Sequence, residues 1–109
     1  MLQLFQTEWC AASRRVRQRL TELGVDYVVR QGPADRRKRT SLVAATGADS
    51  VPALLLDNGS AVVGEDSIGT YLDEHYLEPS GARWHRARAE KARRRYLEQE
   101  CECAKLVTR

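Results

Sequence analysis

Aromatic residues are scarce in this chain. One Phe, two Trp and four Tyr make up 6% of its 109 residues, too few to interleave with basic side chains as a platform on which nucleic-acid bases stack. Long apolar runs are missing as well: a stretch such as Val51 to Leu56 falls far short of the roughly 20 residues that cross a bilayer. Met1 to Phe5 carries no basic leader, so the expectation is a soluble chain made without a signal peptide and without a membrane role. Cysteines number three. An odd count without a secretory leader argues against a disulfide framework and for reduced thiols in a cytoplasmic setting. With 12.3 kDa there is one domain's worth of chain, and a second unit would be too small to bury a core of its own. A two-domain enzyme is not expected. What the chain does have, 42% hydrophobic and 30% charged residues, is the composition of an ordinary globular protein.

The formal charge of +3 is unevenly spread. Residues 1–79 hold 9 Lys/Arg and 11 Asp/Glu, net −2, whereas residues 80–109 hold 9 and 4, net +5. The basic excess belongs to the tail, so the overall charge says little about what the body binds.

Periodicity divides the chain. Leu2-Gln3-Leu4-Phe5 alternates as a strand, and Ala12, Val16, Leu20 and Leu23 then step by four, four and three along one helix face that Gly24 stops. Asp26 to Arg30 is rich in β-formers and predicts a second strand, followed by a turn at Gln31-Gly32-Pro33. A second helix is predicted from Asp35, as N-cap, to Thr46-Gly47. Pro52 to Leu56 is a continuous apolar run fit for a strand buried on both faces. Asn58-Gly59 marks a hairpin whose partner is Ala61-Val62-Val63. Gly64-Glu65-Asp66 opens a third helix through Ile68, Tyr71, Leu72 and His75. The order βαβ then αββα predicts an α/β fold: a parallel pair with a right-handed crossover, an antiparallel hairpin edge and helices covering a mixed sheet. Residues 82–106 predict one long helix with Trp84, Ala92, Tyr96, Cys103 and Leu106 on its apolar stripe. The expected organisation is therefore a body over 1–78 and a basic helical extension over 79–109.

Cys10 stands where the first helix begins. A thiolate there meets unpaired N–H groups and the positive end of the helix dipole, with Arg14 and Arg15 close by, and such surroundings lower a thiol's pKa. The alternative is a small buried apolar residue. Ser13, three residues on, shares a face with Cys10 and is placed to donate a hydrogen bond to its sulfur, unless it is an ordinary first-turn residue. It cannot form a disulfide, so a reactive Cys10 works as a single thiol whose mixed disulfide is cleared by an outside thiol.

Trp9-Cys10-Ala11-Ala12-Ser13 opening a helix, then Thr46-Gly47-Ala48-Asp49-Ser50-Val51-Pro52, then Gly64-Glu65-Asp66, resembles the glutaredoxins and the amino-terminal, thioredoxin-like domain of glutathione S-transferases over about residues 1 to 77. The resemblance implies a thioredoxin-like, glutaredoxin-type βαβ-ββα sheet with flanking helices and with Pro52 cis. It implies glutathione as ligand, docked by the backbone of Val51 beside Cys10 and Trp9. Glu65 and Asp66 would hold the γ-glutamyl end, and Arg39 the glycine carboxylate, with Arg36, Arg37 and Lys38 as substitutes or simply a solvated basic face. Four features depart from the pattern. Thr7 replaces a lysine, Ala11 a proline, Val63-Gly64 the Gly-Gly pair of glutaredoxins and Gly64-Glu65 the Glu-Ser pair of the transferases.

Cys101-Glu102-Cys103 with His75 or His85 is not expected to bind a metal, because i and i+2 on a helix point about 200° apart. The basic tail is expected to be a solvated face, with a protein partner or self-association through the C-terminal helix as the alternative, and nucleic acid is not expected there. The expected activity is that of a monothiol glutaredoxin-like oxidoreductase acting through Cys10 on glutathione mixed disulfides or protein disulfides. The alternative is a catalytically weak or inactive binding module of the same fold, a class that includes an iron–sulfur role shared between two chains. A full glutathione S-transferase is not expected from the length.

Overall fold

The computed structural model describes the backbone of residues 1–107 and the side chains of residues 1–95. Four strands form one sheet in the order β2-β1-β3-β4. β1 (Leu2–Gln6) and β2 (Tyr27–Gln31) run parallel, with Leu2 opposite Tyr27 and Phe5 opposite Arg30. Helix α1 (Ala11–Leu23) makes the crossover between them. β3 (Ala53–Leu55) lies antiparallel to β1, and β4 (Ala61–Val63) antiparallel to β3. The Asn58-Gly59 hairpin is closed by Leu56 N–H on the Ser60 carbonyl at 2.8 Å, while Asn58 Oδ1 accepts from Ser60 N–H at 2.9 Å.

Strand alternation distributes the core over both faces. Leu2, Leu4 and Leu54 meet Val16, Leu20 and Leu23 of α1 and Ile68 and Leu72 of α3 (Glu65–His75) on one side. Phe5 and Ala53 point the other way, onto Leu42 of α2 (Thr40–Thr46). The apolar steps of four and three along α1 therefore mark its buried face, and α1 ends where Gly24 N–H closes onto the Leu20 and Thr21 carbonyls. The third strand is shorter than its apolar run: Leu55 and Leu56 are only half-buried, and Leu56 already belongs to the turn.

The second helix departs from expectation. Asp35 caps a single 3₁₀ turn, Arg36–Lys38, by accepting from Arg37 N–H, and Arg39 then leaves helical geometry at φ −84°, ψ 46° before α2 begins. The cause is tertiary. Arg39 is buried, and its guanidinium donates from Nε to the Pro33 carbonyl at 2.6 Å and from Nη1 to the Asp49 carbonyl at 2.8 Å. Clamping the loops on either side of α2 fixes the backbone at Arg39 against a continuous helix.

The last helix, α4 (Ala82–Val107), packs against α1, although not by the expected stripe. Ala82 is fully buried and His85, Ala89 and Arg93 are half-buried, so the steps of three and four along the packed face begin at Ala82. Trp84 is 60% exposed under the Arg88 guanidinium, 5.3 Å from the ring centroid, and Ala92 is exposed. Ion pairs set this phase. Glu22 of α1, 4% exposed, accepts from Gln18, from Arg19 and from Arg86 of α4, and Arg86 also pairs with Glu78. Rotating the helix to bury Trp84 would take Arg86 away from a buried carboxylate. The Tyr96, Cys103 and Leu106 side chains, and Cys101, lie outside the described residues. Among the described residues no helix is long and apolar enough to cross a membrane.

Candidate functional site

Chemistry concentrates where β1 gives way to α1. Cys10 is the N-cap of α1, extended at φ −72°, ψ 121°, and its Sγ accepts from the Ser13 N–H at 3.4 Å. Sulfur thus occupies the place that a Ser or Asp oxygen usually takes in satisfying an otherwise unpaired helix N–H. Ser13 is fully buried beneath it, and the Ser13 Oγ accepts from Thr7 N–H at 3.3 Å. That acceptance leaves the hydroxyl proton free to point at Cys10. Partial burial works against ionisation of the Cys10 thiol. Hydrogen bonds from the Ser13 hydroxyl and from the Ser13 and Ala12 N–H groups, together with the Arg15 charge, outweigh it and hold the thiol below its ordinary range. Cys10 itself is neither sealed in the core nor fully exposed.

Thr7, at the position of the expected lysine, is buried and internal. Its Oγ1 donates to the Gly32 carbonyl at 2.8 Å, and its own carbonyl accepts from Cys10 N–H at 3.1 Å. Gly32 N–H in turn donates to the Gln6 carbonyl at 2.8 Å. A Cβ at Gly32 would lie 2.6 Å from Val51 Cγ1, so the absence of a side chain is what lets Val51 seat against this junction. Val51 and Cys10 are thereby tied to the same Thr7–Gly32 unit from opposite ends.

The Val51–Pro52 peptide bond is cis, and the Pro52 carbonyl accepts from Gly64 N–H at 2.9 Å. Gly64 caps α3 at φ 96°, ψ 150°, a region closed to residues bearing a Cβ. This geometry delivers Glu65 and Asp66 as the first turn of α3, an acidic pair at the positive end of the helix. Glu65 is not free. Arg15 of α1 holds it by two contacts, Nε to Oε2 and Nη2 to Oε1, the latter at 2.9 Å. The Arg15 guanidinium keeps the Glu65 carboxyl below its usual range.

The expected site residues are therefore placed unequally. Cys10 and Ser13 are in contact, Val51 seats against Gly32, whose carbonyl accepts from the Thr7 hydroxyl, Pro52 is hydrogen-bonded to Gly64, and Arg15 joins the cysteine's helix to Glu65. Asp66 is exposed beside Glu65. Trp9, 77% exposed, walls a separate groove of about 940 Å³ between α1 and α4 with Arg14, Arg17, Tyr27 and His85. Arg39 is spent on the Pro33 and Asp49 carbonyls, and of its neighbours Arg36 pairs with Asp49 at 2.8 Å and Arg37 with Asp35 at 3.1 Å. The Arg15–Glu65 pair, the Gly32–Val51 contact and the bracing role of Arg39 all escaped the linear sequence. The first of these joins residues 50 apart, and only the charge beside Cys10 hinted at it. Among the described residues no three His, Cys, Asp or Glu side chains gather as a metal set.

A profile of the glutathione S-transferase N-terminal domain matches residues 4–80. Among solved structures, a glutathione S-transferase from Rhodospirillum rubrum is 31% identical with a TM-score of 0.63, over 73% of this chain and 36% of that one. A glutathione S-transferase from Sinorhizobium meliloti is 28% identical with a TM-score of 0.61, over 68% and 32% of the two chains. Glutaredoxin C1 from Populus tremula x tremuloides is 25% identical with a TM-score of 0.55, over 68% of this chain and 75% of that one. The matched region is about a third of the length of the two transferases. No curated protein sequence matches.

Proposed function

The chain belongs to the glutathione S-transferase N-terminal domain family, and from that premise we propose that it is a glutathione-dependent thiol–disulfide oxidoreductase whose nucleophile is Cys10. The observation that carries the proposal is the Cys10 sulfur held as helix cap, 3.4 Å from the Ser13 N–H, with hydrogen bonds and the Arg15 charge favouring the thiolate over the burial that opposes it. A sulfur so placed is ionised to a greater extent at neutral pH than an ordinary thiol and is open enough to be attacked or to attack.

In the reaction, the Cys10 thiolate attacks the glutathione sulfur of a mixed disulfide. A Cys10–glutathione disulfide forms, the substrate sulfur leaves as a thiolate and takes a proton from water, and the substrate is reduced. A second glutathione thiolate then attacks the glutathione sulfur held on Cys10. Oxidised glutathione leaves and the Cys10 thiolate returns. Ser13 stabilises that thiolate in both halves. The backbone of Val51 docks the cysteinyl part of glutathione, and the Glu65–Asp66 turn receives the γ-glutamyl end. Residues 1–78 carry this site, and 79–109 serve as a basic helical extension. Replacement of Cys10 by Ser abolishes reduction of a glutathionylated peptide by glutathione; undiminished turnover would contradict the proposal.

One observation favours a second reading, a binding module with little catalysis. Two positions that the family resemblance assigns to the glycine carboxylate are committed elsewhere: Thr7 to the Gly32 carbonyl and Arg39 to the Pro33 and Asp49 carbonyls. Calorimetry with reduced and oxidised glutathione separates the two, since a module that has lost this ligand gives no saturable heat with either.

A further inference from the structure

β2 is an edge strand, paired on one side only, with β1. At five residues it is longer than the opposite edge, β4, which has three, and Val28 to Gln31 are all exposed. The Gly32 N–H, turned onto the Gln6 carbonyl, fixes which positions face inward. By the alternation of a parallel ladder, Val28, Arg30 and Gly32 spend their backbone groups on β1, and those of Tyr27, Val29 and Gln31 point away from the sheet. Proline, lysine, a bulge or a covering segment usually protects such an edge. β2 holds neither proline nor lysine, and its register with β1 runs unbroken from Leu2–Tyr27 to Gln6–Gln31. Val28 and Val29 are 44% and 42% exposed. The one charge within the strand is turned back on its own chain: the Arg30 guanidinium lies 5.0 Å over the Phe5 ring and donates to Gln3 Oε1 at 2.8 Å.

The charges along this edge identify what pairs with it. Asp26, exposed, immediately precedes the strand, and Arg30 follows four residues later, on the same face by the strand's period of two. Among the described residues neither has an ion-pair partner. A strand with opposite charges so spaced is complementary to itself when run antiparallel. Centred on Val28, a two-fold pairing sets Asp26 against Arg30 of the other copy at both ends, Val28 against its counterpart, and Tyr27 against Val29. The outward-facing Tyr27 and Val29 then form the hydrogen-bonded pairs, and the charges fall in the non-hydrogen-bonded ones, where side chains come closest. Centring on Val29 instead would place Asp26 opposite Gly32 and leave both charges unmatched. We infer that β2 is a self-association edge: a second copy of this chain adds its own β2 antiparallel in the Val28-centred register, joining two four-stranded sheets into one across a closed two-fold interface.

Sedimentation equilibrium of the full chain in the presence of a reductant, over a range of concentrations, tests this. The wild type shows a reversible monomer–dimer equilibrium. Asp26→Arg sets like charges opposite each other at both ends of the pairing, as does Arg30→Asp, and each change weakens self-association about tenfold. In an equimolar mixture of the two variants every cross-strand pair is again opposite in sign, and the dimer returns with the wild-type affinity. Val29→Pro removes an outward N–H without touching the ladder to β1, and it sediments as a monomer. The charge variants alter exposed side chains only, so their result stands even if the proline variant does not fold. A wild type that is monomeric at every concentration, a dimer that survives both charge changes, or single variants whose mixture stays monomeric would overturn the inference.

Discussion

The Ser13 N–H donates to the Cys10 sulfur at 3.4 Å while the Ser13 hydroxyl oxygen accepts from the Thr7 N–H at 3.3 Å. One buried residue therefore serves the sulfur above it and the turn that presents that sulfur. Replacing Ser13 with Ala removes the hydroxyl from both. The Cys10 pKa rises towards its ordinary value, so the rate of alkylation by iodoacetamide at pH 7 falls by roughly two- to tenfold. Stability falls by about 1–3 kcal/mol, because a buried N–H at Thr7 loses its acceptor. The pH dependence of alkylation and a urea titration read the two effects separately.

Arg39 gives the opposite expectation to the one its sequence position suggests. It donates to two loop carbonyls, at 2.6 and 2.8 Å, while only 8% exposed. Arg39→Lys cannot reach both acceptors and lowers stability by about 1–3 kcal/mol. Loss of glutathione binding at unchanged stability would show instead that its role is ligand contact.

Gly32 sets the seat of Val51. Gly32→Ala forces a Cβ to 2.6 Å from Val51 Cγ1 and destabilises by about 1–3 kcal/mol, as overpacking does. Adding Val51→Ala relieves the clash, so the double variant is more stable than the sum of the single changes predicts. A double-mutant cycle by chemical denaturation measures that coupling.

Glu22 governs the docking of α4. Burial raises its pKa, but hydrogen bonds from Gln18, Arg86 and Arg19 overcome this and leave it below the ordinary value of 4.5. A carboxyl whose folded pKa is depressed contributes stability fully above its unfolded pKa, and that contribution disappears as pH falls through the lower folded value. Glu22→Gln therefore costs about 1–3 kcal/mol at pH 7 and flattens the acid limb of the stability profile. Hydrogen exchange in residues 82–93 accelerates in the same variant.

How much of this was legible follows from where each constraint acts. The α1 face was written in Val16, Leu20 and Leu23, because a helix packed on a sheet must repeat every three or four residues. The parallel β1–β2 pair and the antiparallel β3–β4 hairpin followed from one crossover and one Asn-Gly turn, whereas neither connection records that β3 lies beside β1. The Cys10–Ser13 contact was legible because the two are neighbours in sequence, and local geometry suffices to join them. What the sequence did not disclose is long-range. The break at Arg39 depends on carbonyls at Pro33 and Asp49, and the phase of α4 on a carboxylate at Glu22, 64 residues before its partner Arg86. Trp84 suggested the wrong face because size and apolarity weigh heavily in a periodicity count, whereas a buried charge decides the packing. The engagement of Glu65 by Arg15 needs α1 and α3 to lie side by side, which no spacing within either helix records.

The most direct measurement exposes the protein, with Cys101 and Cys103 replaced by Ser, to glutathione disulfide at pH 7 and weighs it intact before and after reduced glutathione is added. The account predicts one glutathione adduct, mapped to Cys10, that reduced glutathione removes. A chain that stays unmodified while an unstructured cysteine peptide in the same tube is glutathionylated would contradict it.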